Sequence, residues 1–152
     1  PFKSSAQWLL DRKEITRAEA TMQGISEWGK RNPNKVQEML NANPRFVFFK
    51  ELPPSANQDL GPIGALGVPL SPGRSIAIDP RAIPLGAPVF LETTQPLSNQ
   101  PIRRLVMAQD TGKAIVGPVR VDYFWGTGDE AGELAGRMKQ NGRVWLLLPR
   151  RD

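Results

Sequence analysis

Two aspartates, Asp110 and Asp122, each stand near the end of an apolar run. Val106, Met107 and Ala108 precede the first; Val119 and Val121 lead into the second. Gly112, Gly117 and Pro118 mark a short turn between them. A strand, a tight turn and another strand would bring the two acids close in space. A carboxyl group at the end of an apolar strand is poorly solvated, which favours its protonated form and suits a general acid. The alternative is that both aspartates cap turns beside glycines. Local chemistry leaves both readings open. A third acid, Asp79, closes the run Ser75-Ile76-Ala77-Ile78 ahead of Pro80. After Asp122 come Tyr123, Phe124 and Trp125, and alternation sends at least one of these rings into the core. The turn Gly126-Thr127-Gly128 follows.

Composition narrows the chemistry. The 152 residues contain no His and no Cys. This excludes Ser-His-Asp and Cys-His catalysis, thiolate chemistry, disulfides and His-ligated metal sites. Acid–base work falls mainly to Asp, Glu, Lys or Tyr. No metal and no cofactor is expected. A net charge of +5 attracts anionic polymers in general. The basic residues are scattered, however, with Arg103-Arg104 and Arg150-Arg151 the tight pairs after residue 40. A nucleic-acid footprint is more clustered, so no nucleic-acid partner is expected. No run of eighteen apolar residues is present, and the first residues lack the basic-then-apolar pattern of a secretory signal.

The elements that must position the acids follow from periodicity. Residues 4–14 read as a helix with Trp8, Leu9 and Leu10 as its apolar patch. Thr16 and Glu19 have capping-box spacing and open a second helix carrying Met22, Ile25 and Trp28 inward. A third helix runs from Pro33 to Asn41 with Val36, Met39 and Leu40 inward. The tryptophans Trp8 and Trp28 read as core. Residues 46–49 form a short β-like run, and 51–62 a polar loop. The segment Gly61-Pro62-Ile63-Gly64-Ala65-Leu66-Gly67-Val68-Pro69-Leu70 lets backbone approach a ligand or another strand closely. No Lys-Ser/Thr follows it, so it is not a phosphate loop. Strands are expected at 75–79, 88–93, 102–108, 119–124 and 143–148, the last apolar enough to lie inside a sheet. A helix is expected over 129–139, with Ala131, Leu134, Ala135 and Met138 inward and acids early, bases late, as the macrodipole favours. Gly and Pro together reach about 19% against about 12% on average, which favours turns and short strands. The fold class is mainly β with a helical lead: residues 1–43 as the lead and 44–152 as a small closed or nearly closed barrel, the two packing as one unit.

Asp79, Asp110 and Asp122, each at a strand end, resemble the "3D" domain, named for three aspartates. Further motifs extend the likeness: Ser75 to Pro80, Ile83-Pro84-Leu85-Gly86, Gln109-Asp110-Thr111-Gly112, Asp122 to Gly128, Gly142-Arg143-Val144-Trp145, and the glycine-rich run 61–70. Together they resemble the membrane-bound lytic murein transglycosylase A family over nearly the whole chain. Lys113 stands where that family often has a second glycine. The resemblance implies the C-terminal part of a longer enzyme, with residues 4–50 following an inserted second domain that forms one wall of the glycan groove. It implies a double-psi β-barrel of barwin-like type that cuts the β-1,4 bond between N-acetylmuramic acid and N-acetylglucosamine, leaving a 1,6-anhydromuramyl end. The catalytic aspartate of the family matches Asp122.

On that footing Asp122 is the single acid/base and Asp110 hydrogen-bonds or charge-couples to it. Asp79 is structural. Gln109, Tyr123, Trp125, Gly126 and Gly128 contact the glycan, the rings by stacking and the glycines through backbone donors. Partners are peptidoglycan glycan strands and other cell-wall enzymes, and any membrane contact is through a lipid anchor absent from these residues. The implied location is periplasmic, at the outer membrane. These residues alone would turn over peptidoglycan weakly or not at all. Three other readings remain: a non-catalytic carbohydrate-binding barrel, a conventional two-carboxylate glycosidase using Asp110 and Asp122, and a nucleic-acid binder.

Overall fold

The computed structural model describes residues 3–45, 48, 51 and 60–150. The chain divides into two compact units, residues 1–53 and 54–152. Most of the expected β-like run at 46–49 and of the loop at 51–62 lies outside the described residues.

The first unit holds three helices: α1 (Ser5–Asp11), α2 (Met22–Arg31) and α3 (Pro33–Asn41). Ser4 caps α1 by accepting from the Gln7 amide at 3.1 Å. The helix ends earlier than its apolar pattern suggests, because Lys13 turns left-handed at φ 57°. The Lys13 amide bonds the Leu10 carbonyl and the Glu14 amide bonds that of Leu9, both at 3.0 Å, which is a Schellman closure with lysine in the usual glycine place. The Thr16–Glu19 capping box forms, with the Thr16 amide 2.8 Å from the Glu19 carboxylate, but it closes only an isolated turn. Thr21 is the actual cap of α2, its hydroxyl accepting from the Gly24 amide at 3.1 Å. Trp8, Leu9, Ile15, Trp28 and Met39 make the core, with the Trp8 and Trp28 rings edge-to-face at 6.3 Å. Met22 and Leu40, expected inside, are exposed.

The second unit is a mixed five-stranded sheet with one helix. Its strands are β1 (Ser75–Ile78), β2 (Pro88–Thr94), β3 (Pro101–Thr111), β4 (Asp122–Tyr123) and β5 (Arg143–Leu146), in the spatial order β4-β1-β3-β2-β5. β1 and β3 run parallel; the other neighbours are antiparallel. The sheet is not closed: β4 and β5 are its two edges, so the expected closed barrel is not formed by these strands. The apolarity of β5 predicts a place inside the sheet, yet among the described residues it pairs only with β2 and leaves Trp145 half exposed. Apolar content does not distinguish an edge strand from a central one when one face stays open. The core gathers Ile76, Ile78, Ile83, Val89, Leu91, Val106, Ala108 and Tyr123. Helix α4 (Asp129–Arg137) has Asp129 and Glu130 in its first turn and Arg137 in its last, but buries no residue. Ala135, expected inward, is exposed; Met138, just past the helix, packs on the core.

Candidate active site

β1 lies between β3 and β4. Its Ala77 pairs with Asp110 on one side and with Asp122 on the other. Directly opposed residues on neighbouring strands project from the same face. The two acids therefore flank Ala77 in one row, their backbones two strand spacings, or about 10 Å, apart. Ile76 and Ile78 take the opposite face and are fully buried. The alanine methyl leaves a trough between the acids. A pocket of about 240 Å³ opens there, lined by Asp110, Asp122, Ala77, Thr111, Ile115 and Phe124 among others.

A bulge places Asp110 in this row. β3 pairs Ala108 with Ile76 and then Asp110 with Ala77, so Gln109 is the extra residue. Strict alternation would send Asp110 to the face of Val106 and Ala108, both fully buried. The glycine-rich run 61–70 secures the result. It folds back on itself through Gly61 to Leu70 (2.7 Å) and Gly64 to Val68 (2.9 Å) and lies against the bulge. The Leu66 amide donates to the Gln109 carbonyl and the Ala65 amide to Asp110 Oδ1, both at 3.0 Å. Gly64 permits the approach, since a Cβ there would sit 2.5 Å from the Gln109 carbonyl oxygen.

Asp122 differs from the expectation of a poorly solvated acid. Its side chain is 52% exposed, and Arg120 Nε lies 3.4 Å away, itself exposed. β4 is an edge strand, so water reaches this carboxylate. An exposed pair of this kind contributes about 0–1 kcal/mol and holds neither side chain firmly. Among the described residues no hydrogen bond joins Asp110 to Asp122: the first is held by Ala65, the second by Arg120. Asp122 also borders a groove of about 720 Å³, with Leu91, Arg120, Val121, Met138, Arg143 and Trp145 in its walls.

Asp79 lies apart from this row and is buried. It accepts from the Arg81 side chain at 2.9 and 2.7 Å, from the Arg81 amide at 3.0 Å and from the Gly117 amide at 2.8 Å. The Arg81 guanidinium first, then the Gly117 and Arg81 amides, hold its carboxyl well below the usual carboxylate range, against a smaller opposing effect of burial. The bond to Gly117 ties the end of β1 to the loop leading into β4.

The other residues expected to bind glycan divide. Tyr123 is the ring directed into the core; its hydroxyl donates to the Gly73 carbonyl at 2.8 Å and accepts from Arg104 at 3.2 Å. Trp125 packs edge-on against it at 5.0 Å and donates its indole N–H to Met138 Sδ at 3.3 Å. Tyr123 and Phe124 both line the small pocket, and Tyr123 also borders the larger groove. Gln109, Trp125, Gly126 and Gly128 line neither this pocket nor the larger groove. The side-chain oxygen of Gln109 accepts from the buried Ser75 hydroxyl. Gly126 and Gly128 adopt φ of 127° and 89°, and Gly128 opens α4. Ala77 and Arg120 were not singled out from sequence, although Ala77 between two buried isoleucines carried a signal.

Residues 74–148 match the 3D domain, and residues 1–50 match the MltA specific insert domain. Membrane-bound lytic murein transglycosylase A of Escherichia coli (strain K12) is 37% identical over 153 residues, covering 96% of this chain and 40% of that protein. The chain belongs to the membrane-bound lytic murein transglycosylase A family. Residues 1–50 thus match the insert domain of the family itself, rather than a segment following it. Among solved structures, MltA from Neisseria gonorrhoeae superposes with a TM-score of 0.85 at 48% identity, over 98% of this chain and 37% of that one. E. coli MltA with bound chitohexaose gives 0.77 at 35% identity, over 96% and 44%. The chain spans 40% of the length of the curated relatives it matches. The 3D match takes in all five strands and α4, whereas the segment that secures Asp110 lies ahead of it. No described helix is long and apolar enough to cross a membrane.

Proposed function

We propose that this chain supplies the acid-bearing part of a lytic transglycosylase. It would act on the β-1,4 bond between N-acetylmuramic acid and N-acetylglucosamine, in the periplasm at the outer membrane. The observation that carries the reading is the row Asp110-Ala77-Asp122 on the open face of the sheet, in a chain of this family. Asp122, reached by solvent and bordering both cavities, is the single acid/base. Protonated, it gives its proton to the glycosidic oxygen; as a carboxylate, it takes the proton of the sugar's own C6 hydroxyl as the 1,6-anhydro ring closes. That nucleophile is tethered, so its effective concentration is high and no second nucleophilic acid is needed. Asp110 has one oxygen held by the Ala65 amide, which fixes it across Ala77 from Asp122. Arg120 gives way when glycan enters, at the small cost of an exposed pair.

Asp79 is the structural acid in this reading. Gly126 and Gly128 set the turn after β4, and Phe124 with Ala77 forms the floor beneath the sugar. The open sheet is read as part of a double-psi barrel, supported by the parallel β1–β3 pair and by the loop that crosses the end of β1 at Gly117.

The test is Asp122→Asn, made in a chain extended to the relatives' full length and given purified peptidoglycan. Mass spectrometry is expected to show anhydromuropeptides from the parent and none from the variant, with the fold unchanged by circular dichroism. Retained release by the variant refutes the assignment. Reducing ends carrying oxygen from labelled water would instead indicate a two-carboxylate glycosidase.

A further inference from the structure

The bulge in β3 decides which face Asp110 occupies, and the fold holds that bulge by its side chain. Ser75 is fully buried beside it. Its hydroxyl accepts the Ser71 amide at 2.8 Å, which leaves its proton for the Gln109 side-chain oxygen. The main chain of Gln109 is fixed separately, its carbonyl accepting the Leu66 amide at 3.0 Å. The extra residue is therefore pinned at two points: its side chain by Ser75 and its main chain by the 61–70 segment. A bulge without such anchors can relax into regular pairing, because a one-residue slip exchanges the faces of every later side chain. Here the slip would drive a carboxylate towards Ile78 and the core.

The geometry points to Ser75 and Gln109 as a latch that holds Asp110 beside Asp122, making both of them positioning residues and removing Gln109 from direct contact with glycan. The consequence for catalysis rests on the function proposed above; the latch itself does not. What matters at position 109 is an acceptor oxygen facing Ser75, and the amide N–H₂ is dispensable. Gln109→Glu keeps that oxygen and preserves the latch. Gln109→Leu and Ser75→Ala each remove one half of the bond.

The reporter is the Ala65 amide proton, which donates to Asp110 and shifts in NMR spectra when that carboxylate gains a proton. Spectra of the 152-residue chain are followed from about pH 7 to about pH 2, across the carboxylate range. Asp110→Asn identifies the step that belongs to Asp110. That step is expected in the parent and in Gln109→Glu, and is expected to vanish from Ala65 in Gln109→Leu and Ser75→Ala. The Leu147 amide, bonded to Pro88 at the far edge of the sheet, stays unshifted in all of them and reports the intact fold. Should Gln109→Leu fail to fold, Ser75→Ala decides by itself. An unchanged Ala65 step in Ser75→Ala overturns the latch. Loss of the step in Gln109→Glu as well as in Gln109→Leu overturns the role given to the oxygen. No substrate is involved, so failure here and failure of the proposed reaction are distinguishable.

Discussion

Gly64→Ala tests the packing that positions Asp110. An added Cβ would lie 2.5 Å from the Gln109 carbonyl oxygen and 2.7 Å from Leu70 Cδ2. The first neighbour is backbone in the middle of a sheet and cannot swing aside. Reaching the 3.4 Å of ordinary contact requires the 61–70 segment to lift by about 0.9 Å. A lift of that size along the bonds stretches Leu66 to Gln109 and Ala65 to Asp110 from 3.0 Å to about 3.9 Å, outside hydrogen-bond range. Two such bonds at about 1 kcal/mol each give about 2 kcal/mol, within the range for overpacking. In a unit of this size that lowers Tm by about 8–16 °C. Thermal unfolding followed by circular dichroism measures it. In a full-length chain, peptidoglycan cleavage is expected to fall about 100-fold, as an ångström of misplacement at a reacting centre can cause. Gly67→Ala is the control: its φ is 82° but no atom lies within 4 Å, so it carries backbone strain alone and spares Asp110. If Gly64→Ala melts and cleaves like the parent, the close approach of this segment to the bulge is wrong.

Ala77→Val adds two methyl groups to the trough between the acids. Strands accept valine, so stability is expected to stay within about 0.5 kcal/mol, while on the proposed function the affinity of a full-length chain for a glycan oligomer, by calorimetry, drops about tenfold or more. Asp79 carries a pH signature. Its folded carboxyl ionises at a lower pH than the unfolded one, so its contribution is complete above the ordinary aspartate range and is lost as pH falls towards the folded value. The Tm difference between the parent and Asp79→Asn is therefore expected to be largest near neutrality and to shrink steadily into acid; a constant difference refutes the Arg81 and Gly117 anchoring. Trp28→Ala removes a ring that is 1% exposed and packed edge-to-face on Trp8. A loss of about 3–5 kcal/mol is expected, seen as early melting of the helical signal.

Much of the framework was legible in the order of the residues. Pro33 and the spacing of Val36 and Met39 mark α3, and alternation in Ser75–Ile78 and Pro88–Thr94 marks two strands, because a side chain's periodic burial depends only on its own backbone. The two tryptophans declared themselves as core for the same local reason. The ordered motifs from Ser75 to Trp145 carried the family. Other features needed partners remote in sequence. The Thr16–Glu19 box formed its bonds without a helix, since Thr21 offered a later cap on a segment that the core holds through Trp28. Nothing in the apolar run 143–148 says that, among the described residues, it has a single neighbour. Above all, reading by twos from Val106 and Ala108 assigns Asp110 to the core. Only the pairing of β3 with β1, the extra residue at Gln109 and the glycine segment laid against it turn that carboxylate to the open face. Periodicity is a property of one strand; register belongs to two, and the site exists because of register.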